Sequence, residues 1–231
     1  AALANCLGVL ISAPCDTWSA VRFNEEVNAP QPLRDCDNVL GIPLEDGSLP
    51  PTAAAANTVA DIACDVGRAC AAHGGHVIAE SPVARGAGSP FAIPGRERHS
   101  SFWSHPSVVT LVKDLGLLPV IFDQCMSGCP AMKTTQLACS PSVAQAAQRN
   151  MSPLHCDGKH SHASLLGGRN AAGLFPTKAT AAYTSDTCAR LADSFVRSSP
   201  SLNANLTAAE IPLHARETVS AAPSTPLRSP V

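Results

Sequence analysis

The chain has 231 residues and a formal net charge of -2, with 45% hydrophobic residues but only 4% aromatic ones. That length supports one domain with a sizeable core, assembled from small aliphatic side chains. The near-neutral charge excludes a global basic field that would draw the chain onto nucleic acid and leaves a local basic cluster at Arg85, Arg96, Arg98 and Lys113.

In chain order, residues 7–11 (LGVLI) are a short apolar run ended by Ser-Ala-Pro-Cys, the pattern of a strand buried on both faces. Residues 23–51 are rich in Pro, Asn and Asp and read as a loop. Residues 52–73 predict a helix with Val59, Ile62, Ala63, Val66 and Cys70 inward, stopped by Gly74-Gly75. Residues 76–79 are a second strand and 81–101 a Gly/Pro-rich loop. A helix over 106–115 turns Val108, Leu111, Val112 and Leu115 inward, and Gly116 ends it. Residues 119–122 and 135–139 are a third and a fourth strand, and 142–150 is a short helix. Residues 185–197 are a helix with Cys188, Leu191, Ala192 and Phe195 on one face. From 198 to 231 the composition turns to Ser, Pro, Thr and Ala, which predicts a disordered tail.

Strands alternating with helices predict an α/β fold with a parallel sheet over 7–11, 76–79 and 119–122, and with 135–139 as an antiparallel edge closing a hairpin. Working residues in such sheets lie in loops at the carboxyl ends of strands. Here those are loops 13–22 and 80–98. Ten cysteines in so long a chain, several inside apolar runs (Cys64, Cys70, Cys188), do not read as a stapled secreted scaffold. There is no signal segment with a basic start and no apolar run of membrane-spanning length, so the expectation is an intracellular protein with no membrane partner.

The first loop carries Pro14-Cys15-Asp16-Thr17-Trp18-Ser19. A Cys at a strand end, after a stiffening Pro, is placed as an exposed nucleophile, and the plain alternative is a buried structural thiol. A phosphatase-type loop needs Arg six positions on. That position is Val21, and Arg22 comes one residue late. The second strand delivers Glu80, followed by Ser81 and Pro82, and the carboxylate is either a functional acid or a solvated loop residue. His155, Cys156, His160 and His162 could offer three or four ligands to zinc, or form a solvated turn around Asp157-Gly158-Lys159. Cys125 and Cys129, spaced C-x-x-x-C, read as structural. Trp103 and His105 read as packing before a helix, with stacking of the aromatic on a base or an adenine ring as the alternative.

Taken together, Pro14-Cys15 with Ser19, then Glu80-Ser81-Pro82, then 122–128 (FDQCMSG) with Lys133 and Thr135, then 183–192, resemble the cytosine-5 DNA methyltransferases. The likeness is to the divergent branch found in retrotransposon polyproteins, and it spans roughly residues 7–195. The resemblance implies a partial Rossmann-like methyltransferase domain over residues 1–197. A short target-recognition-like insert would occupy 140–180, and the amino-terminal cofactor-binding half would be missing. It implies DNA as partner, a polyprotein context and a nuclear location. It also implies methyl transfer from S-adenosylmethionine through Cys15, which as thiolate attacks carbon 6 of a flipped cytosine. Glu80 would hold a proton against ring nitrogen 3. Pro14, Ser19, Arg22, Ser81, Lys133 and Thr135 would bind substrate. The chain departs from the family in four ways. No glycine-rich cofactor loop is matched, Ser81 replaces Asn, Lys133 and Thr135 stand for an Arg pair, and the target-recognition segment is short. The expectation is an inactive methyltransferase fragment or, alternatively, a non-catalytic remnant kept as a structural or interaction module.

Overall fold

The computed structural model describes residues 6–23, 30–165 and 182–199. The tail expected over 198–231 therefore lies outside them from residue 200 on, and the insert expected over 140–180 lies outside them from 166 to 180. Four strands make one mixed sheet: β1 (Gly8–Ile11), β2 (His76–Pro82), β3 (Leu118–Asp123) and β4 (Thr134–Cys139), in the order β1-β2-β4-β3. β1 and β2 are parallel, with Leu10 opposite Ile78 and Ile11 opposite Ala79. β4 runs antiparallel to both β2 and β3.

Two expectations about the sheet are corrected here. β4 is not an edge strand but lies between β2 and β3, and β3 takes the edge. Only one of the three pairings is parallel. The β3–β4 connection is too short for a crossover, so the two strands must pair antiparallel. β4 is buried at every residue but Gln136, the pattern of an interior strand, whereas β3 leaves Leu118 and Pro119 exposed at its start. The resulting α/β architecture is compatible with a partial Rossmann-like sheet.

Helices cover both faces. Side chains alternate along β2, so Val77 and Ala79 join a core cluster with α1 (Pro51–Ala72) and α2 (Pro106–Asp114). Ile78 joins a second cluster with β3, β4, α3 (Pro141–Met151) and α4 (Ser185–Arg197). α3 thus covers that face of the sheet with Val143, Ala144, Ala147 and Met151.

The inward face of α1 is a second correction. Val59, Ile62 and Val66 are exposed, and the buried stripe is Ala53, Ala56, Ala60, Cys64, Gly67 and Cys70. Both stripes repeat every three to four residues, so period alone does not choose between them. Close approach chooses: a Cβ on Gly67 would stand 2.9 Å from Ile11 Cδ1. On α4, Cys188 and Ala192 are exposed, while Thr187, Leu191 and Ser194 are buried. α2 buries Val108 and Leu111 as expected.

Candidate active site and metal-ligand cluster

β1, β2 and β3 run in one direction, so their carboxyl ends, carrying the Cys15 loop, Glu80 and Cys125, share one end of the sheet. The β1–β2 register, continued by one residue, sets Ser12 opposite Glu80. Ser12 Oγ donates to Glu80 Oε2 at 2.8 Å and meets the Tyr183 hydroxyl at 3.2 Å. Glu80 is 3% exposed, and its Oε1 has no hydrogen-bond partner among the described residues. Leaving such an acceptor unsatisfied costs about 1–3 kcal/mol.

Cys15 opens a short 3-10 helix, Cys15–Trp18, directly after Pro14. Its thiol is half-buried, and burial pushes its pKa up. The Lys133 ammonium pulls it down, and the nearby Glu80 carboxylate pushes it up again. Tyr183 stands beside both groups: burial and the Glu80 carboxylate push its phenol up, with a smaller push from Cys15. Lys133 Nζ lies 5.9 Å from the centre of the Tyr183 ring. Cys15, Glu80, Lys133, Ser12 and Tyr183 therefore form one group of interacting side chains. Ser12 and Tyr183 were missed as site residues. Tyr183 is the only tyrosine in the chain and immediately precedes the cap of α4, which was a usable signal; Ser12 had none before the register was known.

The Cys15 loop is fixed from behind by Arg34, which is 1% exposed. Its guanidinium donates to Thr17 Oγ1, to the carbonyls of Val39 and Ala53 and to Asn57 Oδ1. It also lies 4.2 Å over the Trp18 ring. Burial lowers its pKa to about 10, still far above neutrality, so loop and helix α1 are joined around a permanent cation. His99 and Trp103 act similarly. His99 Nε2 bonds the Trp18 carbonyl at 2.8 Å, and Trp103 Nε1 donates to the Pro82 carbonyl at 3.0 Å. Trp103 also packs against the first core cluster.

The other residues assigned to substrate are placed differently. Alternation turns Ser81 to the face opposite Glu80, and it is buried there. Thr135 is fully buried and accepts a hydrogen bond from Gln124 Nε2 at 2.9 Å. The Arg22 side chain donates to the backbone carbonyls of Asp16 and Gln31. Ser19 Oγ accepts from Val21 N, and Pro14 is an exposed turn residue. These are internal bonds of the scaffold. Of the substrate-assigned residues, Lys133 is the one that interacts with Cys15. Arg98 of the basic cluster is engaged by Asp35 and Asp37.

A second constellation lies beside the β3–β4 turn. The donor atoms of Cys125, Cys156, His160 and His162 all fall within 4.8 Å of one another. His155 is not in this group. Its Nδ1 points toward Asp123 Oδ2 at 3.9 Å, and the fourth member of the group is Cys125. Cys129 is buried. Burial and the neighbouring Cys156 push the Cys125 thiol up to about 12. All ten cysteines lie among the described residues, and none is in a disulfide.

Comparison of the chain with protein-family models, with curated proteins and with solved structures returns no match. Among the described residues no helix is long and apolar enough to cross a membrane.

Proposed function

We propose that the Cys15–Glu80 group is a cytosine-handling site of the cytosine-5 methyltransferase kind, acting on DNA. The observation that carries this reading is the buried Glu80 Oε1, without a hydrogen-bond partner among the described residues, beside a cysteine that a parallel register delivers to the same end of the sheet. An isolated acceptor of this sort is suited to hold a proton against a ring nitrogen. With that nitrogen engaged, carbon 6 becomes electrophilic. The Cys15 sulfur adds its electron pair there, and the ring electrons move toward nitrogen 3. Lys133 favours the thiolate through its charge. Ser12 holds the other carboxyl oxygen in place, and the Tyr183 hydroxyl meets Ser12.

S-adenosylmethionine is the methyl donor that the resemblance implies. Among the described residues, no glycine turn leads directly from a parallel strand into an α-helix. The glycines with positive φ follow helices (Gly74, Gly116, Gly128) or sit in loops (Gly41, Gly47, Gly88, Gly95, Gly158). These residues do not fit the cofactor, and the chemistry they support stops at addition to the ring. One observation favours the second reading, a non-catalytic structural module: burial raises the Cys15 thiol, which leaves less thiolate at neutral pH than a free cysteine has.

The test needs no methyl donor. The protein is incubated with DNA carrying 2-pyrimidinone, a cytosine without its amino group and with a more electrophilic carbon 6. A denaturation-resistant adduct is expected with the wild type and none with Cys15→Ser. Glu80→Gln should slow its formation about 100-fold, the usual scale for a positioned acid. Wild-type protein that forms no adduct at any pH, or an adduct equally strong in Cys15→Ser, removes the catalytic reading in favour of the structural one.

A further inference from the structure

The segment 152–165 has no regular secondary structure, and its burial does not explain its path. No residue from 155 to 165 is buried, while Cys156 and His162 are turned partly inward. They face Cys125, which sits in the 3-10 helix Gln124–Ser127 after β3. Two segments separated by some thirty positions thus aim two sulfurs and two imidazoles at one point. Cys156 Sγ lies 3.3 Å from His162 Nε2 and 3.9 Å from His160 Nε2, and the two Nε2 atoms are 3.0 Å apart. A tetrahedral zinc ion, with Zn–S near 2.3 Å and Zn–N near 2.0–2.1 Å, needs donor–donor edges of roughly 3.3–3.8 Å. The four donor atoms lie within 4.8 Å of one another, so closing on an ion requires side-chain shifts of about 1 Å or less and no backbone rearrangement.

The surroundings are those of a metal site. Gly158 N–H donates to Cys156 Sγ at 3.4 Å from a turn in which Gly158 has φ of 72°. Asp157 Oδ1 lies 3.9 Å from His160 Nδ1, the ring nitrogen turned away from the cluster, too far for a hydrogen bond but on the side from which a carboxylate orients a metal-binding imidazole. Asp123 Oδ2 accepts from Cys156 N at 2.9 Å, and Thr134 Oγ1 donates to Asp123 Oδ1 at 2.6 Å. The backbone beside the ligands is therefore already tied to β3 and β4.

We propose that Cys125, Cys156, His160 and His162 bind one zinc ion in a closed, structural tetrahedral site that clamps residues 152–165 onto the end of the β3–β4 hairpin. Two thiols release one proton each, and two neutral imidazoles donate through Nε2. With two thiolates the site is electrically neutral. All four positions are filled by protein, so the ion holds structure and activates no water. The clamp also braces the hairpin that presents Lys133, since Gln124 N donates to the Lys133 carbonyl at 3.1 Å. The proposal is independent of the cytosine reading.

The full chain, purified from zinc-supplemented cells, is examined by native mass spectrometry and elemental analysis. One zinc per chain is expected, with a mass showing loss of two protons. Cobalt(II) exchanged into the wild type should give the intense ligand-field bands of a tetrahedral ion, with thiolate charge transfer in the near ultraviolet. Cys125→Ser and His162→Ala should each lose the metal, and His155→Ala should keep it. If the cysteine variants fail to fold, the wild-type cobalt spectrum and His155→Ala still decide. A wild type that takes up no metal, a Cys125–Cys156 disulfide in its place, an octahedral cobalt spectrum, or zinc lost in His155→Ala would each overturn the assignment.

Discussion

At the scale of single residues, Lys133 and Glu80 act on Cys15 in opposite senses. Burial raises the Cys15 thiol, Lys133 opposes the shift, and Glu80 adds to it. Each residue's contribution to the thiolate population should be readable by alkylation. The rate of Cys15 modification by iodoacetamide should rise with pH around a midpoint above that of an ordinary cysteine. Lys133→Met removes the favourable charge and should move the midpoint further up, while Glu80→Gln should move it down. The nine other thiols are silenced by reading the modified peptide by mass spectrometry. A midpoint that moves down in Lys133→Met would show that Lys133 does not face the sulfur.

At the scale of elements, the sheet is packed from both sides with little space between layers. Gly8 of β1 lies under the Phe195 ring of α4. A Cβ there would stand 2.5 Å from Phe195 Cε1 and 2.8 Å from the His76 carbonyl oxygen. The ring could swing, but the carbonyl belongs to the β1–β2 ladder and cannot. Gly8→Val should therefore cost about 1–3 kcal/mol, the range for overpacking a tight interior. The check is the urea midpoint of unfolding followed by circular dichroism. An unchanged midpoint would mean that α4 does not pack on β1 as described. The small-residue stripe of α1 expresses the same constraint on the other face, since Ala, Gly and Cys allow the helix axis to approach the sheet.

At the scale of the whole molecule, buried thiols make stability depend on pH in the alkaline range. Burial pushes Cys64 up to about 11 and Cys139 up to about 12, and both are fully buried. In the unfolded chain both would ionise near 8.5. Below that pH the thiols are protonated in both states and add no pH dependence. Above it the unfolded chain releases protons that the folded chain retains, so stability falls from about pH 8.5 upward through the folded-state values. Thermal midpoints should therefore drop between pH 8 and 11. The Cys64→Ala, Cys139→Ala double variant, although less stable at neutral pH, should show a shallower drop. Equal slopes in the two proteins would remove the buried thiols as the cause.

The sequence by itself determined much of this protein. Apolar runs and helical stripes placed the four strands and four α-helices of the described residues within a few positions, because burial imposes a period of two or 3.6 on local sequence. Cys15 and Glu80 stood out because they follow short apolar runs, although Glu80 proved to lie within β2, which continues to Pro82. Tertiary structure decided whatever depends on which segments meet. β4 took the interior of the sheet because strand order is a long-range choice that local pattern does not encode. α1 turned its alanine and glycine face inward because the distance to Ile11, and not hydrophobicity, selected between two stripes of equal period. Ser81 and Thr135 were absorbed into the scaffold, and Ser12 and Tyr183 entered the candidate site, because each follows from register and packing across more than fifty residues. Cys125 displaced His155 beside Cys156 for the same reason: ligand spacing in sequence shows only neighbours in one loop, while the fourth donor arrives from a different turn of the chain.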